Sequence, residues 1–221
     1  MTITPLFKNS QNKKMKWNIE NITFLHQPDF FLGSFDNPKM QERHERELKE
    51  GLDNLKNAIA FEDDPLIALR KLNKNDHIQF LRNNLAEFRS AGRLEETVVL
   101  LYSVLNAPFS SGGDASLWRE LFNMCNPDLL KKCGTPLPFQ HATVYRGSVS
   151  GMKKSLVWTP DRSRAEKYAD RWKDKSLGGG ELFEVDINEV DVLLYSKNRF
   201  ETIVILSPAF IESANIRIFN R

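Results

Sequence analysis

The hydrophobic pattern of this chain changes period once, near Gly134, and that change restricts it to an architecture mixing helices and strands. Upstream, from Asn37, apolar residues recur at helical intervals. The segment "DNPKMQERHERELKEGLDNLKNAIAF" opens with Asn37 as a cap and Pro38 at the first helical position, then places Leu48, Leu52, Leu55 and Ile59 along one face. "DDPLIALRKL" repeats the device with Asp64 and Pro65. "NDHIQFLRNNLAEFRSAG" aligns Ile78, Leu81, Leu85 and Phe88 as one helix that stops at Gly92, and "RLEETVVLLYSVLNA" supplies an apolar helix. "DASLWRELFNMC" and "NPDLLKKCG" complete the set, and no period recurs that would indicate a solenoid.

Downstream of Gly134 the apolar runs shorten to strand length: "ATVYRGSV", "SLVWT", "GELFEVDI", "DVLLY", "ETIVILSP" and "ANIRIF". One helix, "DRSRAEKYADRW", falls between the second and third, with Asp161 as its cap and Ala165, Tyr168 and Ala169 on one face. The expected class is α+β with a mainly antiparallel sheet. The expected organisation is an N-terminal arm over 1–36, a helical region over 37–134 and a sheet-based core over 135–221. At 221 residues, 41% hydrophobic with 15 Phe and 4 Trp, the chain can build such a core without covalent staples. "DKSLGGGE", residues 174–181, reads as a mobile loop beside any site, and its Gly178–Gly180 run lacks the Lys-Ser/Thr ending of a P-loop.

Cys125 and Cys133 are the only cysteines and show no metal-ligand spacing, so reduced thiols and no metal are expected. The N-terminus lacks an apolar signal core and no run reaches membrane-spanning length, which predicts a cytoplasmic protein without a membrane partner. Residues 131–221 hold 15 Lys+Arg against 11 Asp+Glu, while residues 1–130 hold 16 against 18. This mild asymmetry permits an anionic ligand near the C-terminal part.

Three polar residues interrupt or open apolar strands: Arg146 in "VYRGS", Thr159 in "LVWTP" and Glu201 in "RFETIVIL". With "WTPDRSRAEKYA" reading as strand, turn and helix, residues 140–208 resemble the ADP-ribosyltransferase superfamily of the Arg, Ser/Thr, Glu type. The resemblance implies a split-sheet core that takes NAD as co-substrate and needs no metal. It implies that Arg146, beside Gly147, gives forked hydrogen bonds to the pyrophosphate or ribose. Thr159 would hold strand or ribose, Trp158 and Tyr168 would pack against the nicotinamide, and Glu201 would be the catalytic carboxylate, accepting the ribose 2′-hydroxyl and facing the developing cation. Members of the family usually carry a fuller Ser-Thr-Ser run where this chain has "VWTP". Read from the residues alone, Arg146 also fits an edge strand, Thr159 a cap for the next helix, and Glu201 an outward-facing strand position.

Arginine-modifying members usually place Glu or Gln two residues before the catalytic glutamate, where this chain has Arg199. Like charge there argues against an arginine acceptor. Lys197 and Arg199 with Phe200 beside them suit a phosphate-bearing acceptor, and hence RNA or DNA. The alternatives are a protein side chain other than arginine, or a binding module of the same fold without the reaction. The resemblance further implies a toxin, effector or defence-related protein, for which a neutralising partner protein is an expected partner.

Overall fold

The computed structural model describes residues 16–24, 35–105, 115–197, 199 and 201–219. Phe200 and most of the 1–36 arm lie outside the described residues. The chain forms two compact units, Met1–Arg93 and Leu94–Arg221, so the helices from Leu94 onward cluster with the sheets although the sequence pattern changes only at Gly134.

The first unit holds α1 (Pro38–Ala60), α2 (Pro65–Arg70), α3 (His77–Asn83) and α4 (Leu85–Ser90). The caps lie where Asx-Pro pairs stand in the sequence: Asn37 accepts from Lys39 N, and Asp64 from Leu66 N and Ile67 N. Trp17, Ile59, Leu69, Phe80 and Phe88 are buried as its core. Of the apolar stripe of α1 only Ile59 is buried, and Leu48 remains 47% exposed. The helix expected through "NDHIQFLRNNLAEFRSAG" is instead two helices broken at Asn84, whose backbone sits at φ −127°, ψ 28°. The buried Asn84 side chain accepts from Asn18 N at 2.7 Å and donates to Asn18 O at 2.9 Å and Phe80 O at 2.8 Å. A tertiary partner thus takes up a side chain that competes with the helical backbone.

The second unit begins with α5 (Leu94–Leu105), α6 (Ala115–Met124) and α7 (Pro127–Lys132), the last capped by Asn126. It continues with β1 (His141–Val149), β2 (Val157–Trp158), α8 (Arg162–Asp170), β3 (Gly180–Asn188), β4 (Val192–Lys197), β5 (Thr202–Leu206), α9 (Pro208–Ser213) and β6 (Arg217–Phe219). The strands form two antiparallel sheets, ordered β1-β3-β6 and β2-β5-β4, so the α+β class with antiparallel sheets holds. Among the described residues a single bridge joins them: Tyr145 and Thr159 exchange backbone hydrogen bonds of 2.7 and 2.9 Å.

Several elements differ from the sequence reading. β2 has two residues rather than five, β5 starts one residue after Glu201, and α9 is a short helix where only strand and turn were expected. The segment 174–181 is not irregular throughout. It contains a 3-10 turn over Lys175–Leu177, and β3 already starts at Gly180, after Gly178 and Gly179 at φ 103° and 71°. Positive φ at these two positions is what the glycines supply.

Helix α8 packs on β1 and β3 through a seam without side chains. A Cβ at Gly147 would stand 1.8 Å from Ala165 O, and one at Gly180 would stand 1.9 Å from Ala169 O. Ala165 and Ala169 are themselves fully or nearly fully buried against the sheet. Among the described residues no helix is long and apolar enough to cross a membrane.

Candidate active site

Arg146, Gly147, Trp158, Thr159, Tyr168 and Glu201 border one cavity of about 350 Å³ in the second unit. They come from β1, from β2 and the residue after it, from α8 and from the residue before β5, so the cavity opens where the Tyr145–Thr159 bridge joins the sheets. Lys197, the exposed last residue of β4, and the exposed Arg199 are not among its lining residues. Phe200 lies outside the described residues.

Arg146 is held by its own neighbourhood rather than by an acid. Its Nη1 donates to Val157 O at 3.0 Å and its Nη2 to the buried Ser148 Oγ at 3.4 Å, while the buried Nε has no partner. Among the described residues no carboxylate comes within ion-pair distance of it. Burial pushes the guanidinium below its ordinary pKa, with the electrostatic interaction with Tyr102 acting the other way. A half-buried cation without a counter-ion is a natural partner for an anionic group entering the cavity.

Gly147 borders the cavity, and its missing Cβ also has the packing reason given above. Trp158 is only 1% exposed, and its Nε1 donates to Ser155 O at 2.7 Å. Thr159 is buried too. Its backbone carries the inter-sheet bridge and its Oγ1 accepts from Asp161 N at 3.1 Å, bracing the residue that caps α8. The half-buried Tyr168 donates its hydroxyl to Glu201 Oε1 at 2.9 Å.

The sequence reading passed over several lining residues. Tyr102 and Ser103 come from α5, and Arg171 and Trp172 stand one turn beyond Tyr168. Tyr102 packs edge-on against Trp118 and Phe122 at 5.0 and 5.1 Å between ring centroids. Burial pushes its hydroxyl above the usual tyrosine range, against contacts with Ser155 and the charge of Arg146 that act the other way. A hydroxyl pair in the otherwise apolar run "VVLLYSVL" was the available signal. Arg171 stacks its guanidinium 4.7 Å from the Tyr168 ring centroid, an i, i+3 relation readable from the helix pattern.

The cavity therefore offers a half-buried cation, a half-buried carboxylate and aromatic walls within one concave site. No protein-family model, curated protein or solved structure matches the chain. By their chemistry, Arg146 suits an oxyanion of phosphate type, and Glu201 suits a hydroxyl or a developing positive charge.

Proposed function

We propose that this protein is an NAD-dependent mono-ADP-ribosyltransferase with a split-sheet core of the Arg, Ser/Thr, Glu type. One observation carries the reading: a half-buried arginine whose Nε is buried without a hydrogen-bond partner, and which has no ion-paired carboxylate among the described residues, shares a single cavity with a half-buried glutamate. NAD presents the complementary groups, an anionic pyrophosphate and a ribose next to a bond that breaks with positive charge. Arg146 holds the pyrophosphate side and Glu201 accepts the ribose 2′-hydroxyl. As the bond between the ribose C1′ and the nicotinamide nitrogen breaks, its electron pair leaves with neutral nicotinamide. The carboxylate stabilises the oxocarbenium-like ribosyl, the acceptor's nucleophile bonds to C1′, and the acceptor's proton passes to solvent. Thr159 holds the junction that sets the distance between these two groups.

The acceptor is a macromolecule, and nucleic acid is favoured. Lys197 and Arg199 are exposed on the connection leading to Glu201, where they offer cations to a phosphate backbone. The role that fits is a toxin, effector or defence-related enzyme acting in the cytoplasm. The test is transfer from adenine-labelled NAD into bacterial lysate by wild type and Glu201→Gln, with products split by nuclease and by protease. The expected result is nuclease-sensitive label that falls about 10³-fold in the variant, the scale of losing a group that stabilises transition-state charge. Protease-sensitive label would redirect the acceptor to protein. No label together with no NAD binding by calorimetry would leave a binding module.

A further inference from the structure

We infer that Tyr168 is a positioning residue for Glu201, acting through its hydroxyl rather than through its ring face, an inference that rests on the transferase reading above. Glu201 precedes β5, whose pairing with β4 begins at Thr202 opposite Lys197. The sheet ladder therefore does not set the direction of the glutamate side chain. A long carboxylate at the end of a strand has several rotamers, and a reacting group needs one. The Tyr168 hydroxyl, 2.9 Å from Oε1, supplies the restraint from a different element.

That element is rigidly seated. Asp161 caps α8 by accepting from Arg164 N, and the side-chain-free seam at Gly147 and Gly180 fixes how closely the helix lies on β1 and β3. Tyr168 falls between Ala165 and Ala169, the two residues in that seam, so its reach to Glu201 is set by the same contacts. Arg164, one turn earlier, lies with its guanidinium 5.6 Å from the Tyr168 ring centroid. Hydrogen bonding and charge interaction with Tyr168, together with the charge of Glu201, hold Arg164 above its ordinary pKa. Because an ionised carboxylate has about four acceptor sites, accepting one phenol hydrogen bond is compatible with also accepting a ribose hydroxyl.

The experiment separates hydroxyl from ring. Tyr168→Phe keeps the aromatic face and removes the donor, whereas Tyr168→Ala removes both. In NAD turnover by the full chain, Tyr168→Phe is expected to lower kcat about 10- to 100-fold, the range for losing a hydrogen bond to a charged group. The KM for NAD should stay within about twofold, because binding common to ground and transition states is untouched. Wild-type kcat in Tyr168→Phe, with loss only in Tyr168→Ala, would overturn the inference in favour of a ring-face role. A thermal-unfolding cycle of Tyr168→Phe, Glu201→Ala and the double variant reads the contact without any activity. The double variant is expected to melt no lower than the less stable single variant, and fully additive shifts would overturn the contact. If the wild type does not turn over NAD, the transferase reading fails, and the cycle alone decides whether Tyr168 holds Glu201.

Discussion

The two units differ at their buried polar groups: the second satisfies Glu95 and Thr159 as the first satisfies Asp76 and Asn84, but leaves one nitrogen on each of two arginines without a partner. In the first, the buried Asp76 accepts from Thr23 N, Thr23 Oγ1 and Phe24 N at 2.8 to 3.0 Å, and Asn84 is similarly saturated by Asn18 and Phe80. Both side chains satisfy backbone groups distant in sequence, so the burial serves cohesion. In the second unit Arg119 Nε and Arg146 Nε are buried without partners, yet the Arg119 guanidinium reaches Glu212 in an ion pair. Arg146 has no such acid and opens on a cavity. A polar group that lacks a partner and faces a cavity is a candidate ligand contact.

The largest expected effect tests the packing that supports the cavity. Gly147→Ala drives a methyl group into the Ala165 carbonyl and must displace α8, at a cost of about 3 kcal/mol or more. Denaturant unfolding of the second unit would measure it, and an unchanged midpoint would remove the seam from the account. Asp76→Ala in the first unit strands three donors and should cost about 2–4 kcal/mol. The comparison is sharpest at Arg146→Met, where the sign reverses. Replacing a half-buried cation that has no acidic partner by an apolar side chain of similar length should raise stability by about 1 kcal/mol while abolishing NAD binding by calorimetry. A destabilised Arg146→Met would show that Arg146 is structural and would erase the contrast between the units.

The smallest effect belongs to His77, whose partial burial holds its pKa below the ordinary value of about 6.5. The folded state therefore disfavours the imidazolium and binds fewer protons than the unfolded chain just below that pH. The sign follows: the first unit keeps its full stability above about pH 6.5 and loses part of it as pH falls to the folded pKa. His77→Gln should flatten this slope, by less than about 1 kcal/mol, in unfolding curves taken across that range.

The local signals were legible because their physics is local. Asn37, Asp64, Asn126 and Asp161 each cap the helix their sequence position indicated, since a cap is a contact between residues two or three apart. The strand residue Arg146, the turn residue Thr159 and the pre-strand Glu201 could be singled out because each breaks an apolar run. The break at Asn84 was not legible, because the helical pattern runs through it and its partner is the backbone of Asn18, 66 residues away. Helix α9 was missed for a related reason: six residues between two strands are too few to show a helical period.

By itself the sequence determined the class, the change from helix to strand at Gly134, most helix starts, and the residue types available for chemistry. Only the tertiary structure decided which of those residues meet. Tyr102 joins the cavity from α5, Tyr168 grips Glu201 across 33 positions, and Gly147 proves to be a helix seat as well as a site neighbour. Periodicity reports which face of an element is apolar, whereas a site depends on the distances between elements. Those distances follow from how closely backbones can approach, which here is set by two glycines and two alanines that carry almost no hydrophobic signal of their own.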